Sequence, residues 1–273
     1  MILSAERIAI IIPALNEALR IRDVVQGALA QCPHVIVIDD GSDDDTCARI
    51  ADLPITLLRH ARRMGKGASL RDGFREALQR GFAAAITMDG DGQHSADDIP
   101  RLLDAANRHP GDIIIGARMR RRSQQPTYRR LANNFGDWGI AFALCYQVVD
   151  NQSGQRFYPA AVMQLDNVPG EDFVFEAQIL ISAAQQLGTR CVSVPIESRY
   201  KTVHSEEQFR ASHFRPVRDF LRITTHITTQ ALRARTLPEA YRLQRQHPPV
   251  IDDPSGEFGT VFAATAAQQT GSA

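Results

Sequence analysis

Short apolar runs in the first half of the chain alternate with longer stretches whose apolar residues recur at helical spacing. The strand-like runs are Arg7–Ile12, Val35–Ile38, Ile55–Arg59, Ala84–Met88 and Asp112–Ala117. The helix-like stretches between them are Glu17–Ala30, Asp43–Ala51, Lys66–Arg80 and Ser95–Arg108. Because strands that alternate with helices form parallel sheets covered on both faces, the pattern predicts an α/β fold with a mainly parallel central sheet.

The pattern changes after Arg118. A basic and polar loop is followed by predicted helices and a strand, at Tyr128–Tyr146, Phe173–Leu187, Arg190–Ser198 and the amphipathic helix Phe214–Arg235, with a loop predicted at Asp150–Tyr158. We therefore predict one domain over residues 1–235, with a nucleotide-binding half to about residue 118, an acceptor half over 119–235 and a C-terminal helical extension. Residues 236–273, rich in Pro, Gln, Thr, Ala and Gly, are predicted to be a disordered tail.

Composition excludes several classes of protein. The 273 residues are 44% hydrophobic, and 31 basic residues balance 31 acidic ones. The zero net charge argues against nucleic acid as a partner, since nucleic-acid binding needs a basic face. No run approaches the roughly 20 apolar residues of a membrane span, and the first residues lack the order of a signal peptide. The sequence therefore predicts a cytoplasmic protein, with peripheral contact at the inner membrane face left as a hypothesis.

The strongest chemical signal is Asp89-Gly90-Asp91, which directly follows a buried strand. Ligands bind at the carboxyl edge of open α/β sheets, and paired carboxylates suit Mg²⁺ or Mn²⁺ carrying a diphosphate. Gly90 lets a ligand approach the backbone closely, and Gln93 offers a further oxygen. The alternative interpretation is a solvated turn.

Three further motifs lie where a strand gives way to a turn. The segment from Pro13 to Glu17 is interpreted as the end of a strand, stopped by Pro13, followed by a helix that Asn16 caps. Such a turn can bind a nucleotide, and the alternative interpretation is an ordinary junction between a strand and a helix. Asp39 and Asp40 leave a second buried strand and suit base or ribose hydrogen bonds. Lys66 lies between two glycines at the start of a predicted helix, a setting that suits phosphate binding. The spacing of these residues is not that of a P-loop. The alternative interpretation is a flexible basic loop.

Taken together, these strings resemble family 2 glycosyltransferases of the GT-A fold, closest to the dolichyl- and polyprenyl-phosphate sugar transferases. The matching strings are Ile-Pro-Ala-Leu-Asn-Glu, Val-Ile-Asp-Asp-Gly-Ser, Arg-Met-Gly-Lys-Gly-Ala, Met-Asp-Gly-Asp-Gly-Gln-His, Ile-Gly-Ala-Arg and Asp-Asn-Gln-Ser-Gly-Gln-Arg. They run in order from about Arg7 to Arg235. A string from Ser212 to Ile223 resembles a C-terminal string of bacterial members found in lipid or aryl-polyene biosynthesis.

The resemblance implies a UDP- or GDP-sugar donor and assigns the residues that hold it. The implied donor-binding residues are Pro13, Ala14, Asn16, Glu17, Asp39, Asp40, Lys66, Asp89 and Gly90. The implied metal ligands are Asp89, Asp91 and Gln93, with Mg²⁺ or Mn²⁺ as cofactor. A divalent cation neutralises the charge that grows on the leaving diphosphate, so Asp91 also counts as catalytic.

On the acceptor side the resemblance implies a lipid or lipid-linked partner. Its implied residues are Arg118, Arg130, Asn133, Gln152, Gly154, Arg156, His213 and Arg215. A guanidinium fork suits a lipid phosphate, while the basic stretch after Arg118 also reads as a solvated loop and His213 as structural. The Phe214–Arg235 helix suits either an anionic membrane surface or packing onto the catalytic domain.

The general base is the most open assignment. Family members invert at the anomeric carbon, and a hydroxyl acceptor needs a carboxylate base whereas an ionised phosphate needs none. Glu176 matches the family's carboxylate, with Gln178 in place of a second acid, and Asp172 competes with it. The predicted function is metal-dependent, inverting sugar transfer to polyprenyl phosphate or to a glycolipid or polyene hydroxyl. The alternatives are a sugar-phosphate nucleotidyltransferase and a non-catalytic binding protein.

Overall fold

The computed structural model describes residues 2–120, 137, 139–166, 168–170, 172–197, 229 and 237–256. Its strands are β1 (Ile8–Ala14), β2 (Val35–Asp39), β3 (Thr56–Arg59), β4 (Ala84–Thr87), β5 (Ile113–Arg120), β6 (Arg156–Pro159), β7 (Cys191–Glu197) and β8 (Val250–Ile251). Its α-helices are α1 (Ile21–Gln31), α2 (Lys66–Gln79), α3 (Ile99–Arg108), α4 (139–144), α5 (Ala160–Met163), α6 (Asp172–Leu187) and α7 (Leu237–Gln246).

The strands form one sheet in the order β3-β2-β1-β4-β6-β5-β7-β8. Every neighbouring pair is parallel except the two pairs that involve β6. The prediction of a mainly parallel α/β sheet is therefore confirmed.

Helices cover both faces of the sheet, and for this reason its central strands are apolar throughout. Along β1, Ala9 and Ile11 join a core with α2 and α6 on one face. Ile8, Ile10 and Ile12 join a second core with α1 and α3 on the other face. Buried area of this kind stabilises by roughly 25 cal/mol per Å², so the two cores hold the strand ends in a fixed relation to one another.

The loop predicted at Asp150–Tyr158 is wrong over its last residues, which form β6. This strand lies antiparallel between β4 and β5, with Ile86 opposite Phe157 and Ile114 opposite the same residue. The strand is only four residues long and opens with an arginine, so its sequence carries little periodicity. Its position brings the preceding loop over the end of β4.

Two predicted helix starts are also wrong. Asn16 has φ 56 and does not cap α1, whose N-cap position is Arg20. The stretch Asp43–Ala51 contains only the 3-10 turn Ala48–Ile50. The polar residues that suggested helix caps are used instead to join loops.

Pro13 does not stop the first strand as predicted, because β1 continues through it to Ala14. Ile10 donates to His34 on the β2 side. Backbone donors alternate along a strand, so the nitrogen of Pro13 faces β4. Met88 donates to the Ile11 carbonyl at 3.1 Å, and the pairing of β1 with β4 stops there, where Pro13 has no N–H to continue it.

The prediction of a disordered tail from residue 236 is wrong for the part that the structure describes. The helix α7 packs against α4, with Tyr241 stacked on Phe142, and β8 adds a parallel strand beside β7. Asp252 then accepts two hydrogen bonds from Arg108, at 2.8 and 2.7 Å. Pairing of this kind overrides a composition typical of disorder; residues 257–273 lie outside the described part.

Within the described residues, no helix is long and apolar enough to cross a membrane. The predicted amphipathic helix Phe214–Arg235 lies almost wholly outside them, so its contact with a membrane or with the domain stays a prediction.

Candidate active site

The first two motifs meet at the carboxyl edge of β1 and β2, where side chains of one loop bind backbone groups of the other. Asn16 and Glu17 donate their backbone N–H groups to Ser42 Oγ and Thr46 Oγ1, both at 2.8 Å. The Asn16 side chain accepts in return from the Asp43 N–H at 3.0 Å. These reciprocal hydrogen bonds join the two loops to each other where β1 and β2 end, at the paired residues Ala14 and Asp39.

The adjacent carboxylates of Asp39 and Asp40 lie in different environments. Asp39 is fully buried; its Oδ1 accepts from Ser42 N–H at 3.2 Å, and its Oδ2 lies 3.1 Å from Arg59 Nε without hydrogen-bond geometry. A buried oxygen that lacks a hydrogen-bond donor is costly. Asp39 is therefore paired with Arg59 at the end of β2, and its predicted contact with the sugar donor stays a prediction.

Asp40, in contrast, binds the loop before α2. Its carboxylate accepts from the backbone N–H groups of Met64 at 2.7 Å and Gly65 at 2.8 Å, and from His60 Nδ1 at 2.8 Å. The structure thus gives Asp40 a role in holding that loop, and its predicted contact with a nucleotide stays a prediction.

Lys66 connects the Asp-x-Asp motif to helix α6. Its Nζ lies 2.6 Å from Asp89 Oδ1 and 3.1 Å from Glu176 Oε1. Burial alone would lower the pKa of Lys66, but the two carboxylates outweigh it and raise that pKa. Burial alone would raise the pKa of Asp89, whereas the charges of Lys66 and His94 lower it to about 2. Lys66 and Asp89 therefore form an ion pair, and Glu176 lies against the same ammonium.

The pKa of Asp91 is shifted in the opposite direction from that of Asp89. Burial and the charge of Asp89 raise its pKa, and its Oδ1 accepts from the Gln93 backbone N–H at 3.0 Å. Burial and the charge of Asp91 also raise the pKa of Glu17, to about 7. These acids lie close enough to repel one another, and a cation between them would relieve that repulsion.

The donor set fits a hard divalent cation supplied with further oxygens by a ligand. Among the described residues no group of three or more His, Cys, Asp or Glu side chains is arranged to hold a metal. Asp89 and Asp91 would supply carboxylate oxygens, and diphosphate and water would complete the shell, which is how Mg²⁺ is usually bound. The predicted Gln93 ligand stays a prediction.

His94 belongs to this site but was not predicted as a site residue. It is buried, and its Nδ1 accepts from the Asp89 backbone N–H at 3.4 Å. Burial lowers the pKa of His94 despite the nearby acids. Its place at the end of the Asp-Gly-Asp-Gly-Gln-His string is the sequence signal that could have identified it.

Of two glycines near Asp89, only Gly154 is required for a close approach. A Cβ on Gly154 would lie 2.4 Å from Asp89 Oδ2, so the loop before β6 passes directly over the Asp-x-Asp motif. A Cβ on Gly90 would lie 3.4 Å from the carbonyl oxygen of Pro13, an ordinary contact. Of the predicted acceptor residues, Gly154 thus lies directly beside the Asp-x-Asp motif.

The guanidinium of Arg118, which is predicted to contact a lipid phosphate, is paired with a carboxylate of the protein itself. Its Nε and Nη2 form a bidentate pair with the Asp150 carboxylate at 2.8 and 2.6 Å. Asp137 lies behind this pair and accepts from the Asp150 N–H at 3.0 Å, and burial with the Asp150 charge raises the Asp137 pKa to about 7. A phosphate would have to displace Asp150 from Arg118.

Arg156, which is predicted to border the acceptor, uses its donors within the protein itself, and its contact with an acceptor stays a prediction. It is 1% exposed and donates to the carbonyls of Asn151, Ser153 and Glu176 and to the Tyr158 hydroxyl. A buried guanidinium needs acceptors for its donors, and here the loop's own backbone supplies them. Arg156 therefore holds the loop in shape, whereas Gln152 in the same loop is exposed.

Asp172 begins α6 with φ 49, and its carboxylate lies over Gly65. A Cβ on Gly65 would come within 2.2 Å of Asp172 Oδ1, so glycine is required for α2 and α6 to meet here. Glu176 reaches Lys66 while Asp172 packs on the loop, and this difference favours Glu176 over Asp172 as the residue that faces the reaction. Arg130, Asn133, His213 and Arg215 lie outside the described residues.

Comparison with known proteins agrees with this geometry. Residues 9–164 match the model of glycosyl transferase family 2. The undecaprenyl-phosphate mannosyltransferase of Micrococcus luteus is 31% identical over 208 residues, covering 70% of this chain and 82% of the relative. The polyprenol monophosphomannose synthase of Mycolicibacterium smegmatis is 29% identical over 205 residues, covering 70% of this chain and 77% of the relative.

Among solved structures, the fold is similar to that of glucosyl-3-phosphoglycerate synthase from Mycobacterium tuberculosis. The complex of that enzyme with Mn²⁺, UDP-glucose and phosphoglyceric acid has a TM-score of 0.59 at 19% identity, over 83% of this chain and 80% of that chain. The matched family model, the relatives and the strand-end site together lead to one conclusion: the chain belongs to glycosyl transferase family 2 and is a glycosyltransferase with the GT-A fold.

Proposed function

We propose that this glycosyltransferase moves a sugar from a nucleoside-diphosphate sugar to a polyprenyl phosphate, with inversion at the anomeric carbon and with Mg²⁺ or Mn²⁺ as cofactor. The observation that carries the proposal is the bridge of Lys66 between Asp89 and Glu176, beside Asp91. It brings an ammonium group and two carboxylates together at the sheet edge, and this supports a diphosphate site because the leaving group needs positive charge there.

On the donor side, different residues would bind different parts of the nucleoside-diphosphate sugar. The joined loops around Asn16 and Ser42 would form one wall of the nucleoside site, with Asp39 buried beneath them. Lys66 provides the positive charge for the phosphates, and Asp89 with Asp91 would hold the metal. The metal would supply charge stabilisation to the departing diphosphate. Because these groups are positioned before binding, little reorganisation is needed in the transition state.

A phosphate acceptor suits the position of Glu176 better than a hydroxyl acceptor. The Glu176 carboxylate is engaged by the Lys66 ammonium at 3.1 Å, an arrangement in which it positions a cation rather than accepts a proton. An ionised phosphate needs no general base. Both relatives compared above are named as enzymes of polyprenyl phosphates, which supports the same choice.

The first experiment measures thermal unfolding with UDP or GDP, each with and without Mn²⁺. We expect a stabilising shift for one of the two diphosphates that depends on Mn²⁺ and is lost in Asp89→Asn. The matching radiolabelled nucleotide-sugar is then incubated with polyprenyl phosphate, and lipid-soluble label is counted. Full transfer activity in excess EDTA would contradict the metal dependence, and label appearing only on hydroxyl-bearing lipids would contradict the acceptor.

A further inference from the structure

His60 lies directly after β3 and is held between two carboxylates from different elements. Its Nδ1 is 2.8 Å from Asp40 Oδ1 at the end of β2, and its Nε2 is 3.0 Å from Asp72 Oδ2 on α2. Its side chain is only 9% exposed, and its backbone N–H donates to the Asp39 carbonyl at 2.9 Å. Both ring nitrogens therefore face acceptors in a site mostly closed to water.

This geometry specifies the charge on the ring. A neutral imidazole carries one N–H and can donate to only one carboxylate, whereas the imidazolium donates to both. Burial alone would lower the pKa of His60, but the hydrogen bonds to Asp40 and Asp72 outweigh it and raise that pKa above the ordinary 6.5. The two carboxylate partners and the raised pKa both favour the imidazolium, which in that form links β2 to α2.

The link continues from Asp40 to the phosphate side of the site. Asp40 also accepts from the backbone N–H groups of Met64 and Gly65. Gly65, with φ 95, is the N-cap position of α2, and Lys66 is the first residue of that helix. The Lys66 ammonium then reaches Asp89. A chain of direct contacts therefore runs from His60 to the Asp-x-Asp motif.

We propose that His60, as an imidazolium shared by Asp40 and Asp72, is a positioning residue that fixes the loop before α2 and so holds Lys66 in place for the donor diphosphate. The inference rests on the proposed function, because it assumes that Lys66 binds the donor. It assigns to His60 and Asp72 a role in donor affinity, although neither contacts the Asp-x-Asp motif.

The proposal has a definite pH dependence. The charged groups that face the ring within the described residues are Asp40 and Asp72, and Arg75 pairs with the second oxygen of Asp72 at 2.5 Å. The raised pKa means that the link is complete below pH 6.5 and is lost as the pH rises through the folded-state pKa. One ring nitrogen then faces a carboxylate without a hydrogen, and donor affinity falls on the alkaline side.

The first test needs no nucleotide. Amide hydrogen exchange of the ligand-free protein is compared between the wild type and His60→Gln at one pH, with circular dichroism to confirm folding. We expect the Met64 and Gly65 amides to lose protection in the variant, while amides of β1 keep theirs. Unchanged protection of Met64 and Gly65 overturns the inference without affecting the proposed function.

The second test measures the affinity for UDP and GDP with Mn²⁺ by calorimetry from pH 5.5 to 9. His60→Gln should weaken binding at pH 6 by roughly tenfold or more and remove the alkaline decline. Asp72→Asn, a milder change, should move that decline to lower pH by about one unit; a structural role alone would not move it. A wild-type pH profile in both variants overturns the inference, whereas failure of the wild type to bind either nucleotide overturns the proposed function.

Discussion

Replacement of Lys66 by methionine should have opposite effects on the metal and on the nucleotide. Methionine has a similar length but no charge, so the variant removes the ammonium that lies between Asp89 and Glu176. The side chains of Lys66, Asp89 and Glu176 are 20, 29 and 10% exposed, so solvent screens the cluster only in part. Breaking such a pair leaves its carboxylates uncompensated, and we expect the ligand-free protein to lose about 2–4 kcal/mol of unfolding free energy.

The same change should strengthen the binding of Mn²⁺ alone. In the wild type a cation that binds Asp89 must displace the Lys66 ammonium or lie beside it. A unit charge pair at about 4 Å is worth ~1 kcal/mol in water and ~4 kcal/mol at an effective dielectric constant near 20. For this half-screened site we take ~1.5–3 kcal/mol, which corresponds to roughly ten- to a hundredfold tighter Mn²⁺ binding.

The affinity for the nucleoside diphosphate should change in the other direction, because the positive charge that would face its phosphates is gone. The assay is titration of Mn²⁺ without nucleotide, followed by titration of UDP or GDP at saturating Mn²⁺. Lys66→Arg is the matched control, since it keeps the charge and should keep the weak metal binding of the wild type. Equal or weaker Mn²⁺ binding by Lys66→Met would refute the idea that Lys66 and the metal compete for Asp89.

Three further substitutions separate the roles of other residues. Glu176→Gln should reduce transfer to polyprenyl phosphate by less than about tenfold, whereas loss of a general base would cost roughly 10²–10⁴-fold; radiolabel transfer distinguishes the two. In Gly154→Ala the new Cβ would lie 2.4 Å from Asp89 Oδ2 and should abolish Mn²⁺-dependent nucleotide binding in calorimetry, while Gly111→Ala, which only strains the backbone, should retain it. Asp252→Asn should cost about 1–2 kcal/mol in urea unfolding at pH 7. Because the hydrogen bonds from Arg108 lower the folded-state pKa of Asp252 below 3.8, the difference from wild type should begin to shrink below pH 3.8 and be lost as the pH falls through that lowered pKa.

The central strands and the placement of the Asp-x-Asp motif were predictable from sequence for a clear physical reason. Strands such as β1 and β4 are buried on both faces, so they appear as continuous apolar runs, and the polar residues that follow mark the sheet edge. Asp39 and Asp89 were found this way. The strand β6 was missed because it is short and begins with Arg156, whose charge is satisfied by carbonyls that only the fold brings near.

The C-terminal segment was missed for a related reason. Val250 and Ile251 form a strand because β7 presents an unpaired edge, and Asp252 is held by Arg108, which is 144 residues earlier in the chain. Local composition contains no information about such partners. His60 was missed likewise, since its importance lies in Asp40 and Asp72 on either side of the ring.

The resemblance assigned whole loops to the site but could not say which of their side chains shape the loop and which face a ligand. Arg156 matches the family string and is consumed by its own loop, and Asp40 holds the backbone before α2. A side chain that shapes a binding loop and one that touches the ligand are equally necessary, so both enter a motif. Only the hydrogen-bond partners reveal the first role: Arg156 has acceptors for its guanidinium within its own loop, and Asp40 accepts from the Met64 and Gly65 N–H groups.

Two basic side chains in the described part of the site are each paired with a carboxylate, and this arrangement selects for a particular kind of ligand. Lys66 is paired with Asp89, and Arg118 with Asp150. Pairing avoids the cost of isolated buried charges, but it also means that an anion gains little unless it replaces a carboxylate at the cation. A diphosphate that arrives with a divalent cation can do so, since Asp89 then exchanges an ammonium for the metal while Lys66 exchanges a carboxylate for phosphate. We therefore expect metal and diphosphate to bind with positive cooperativity, each much more weakly alone than in the presence of the other.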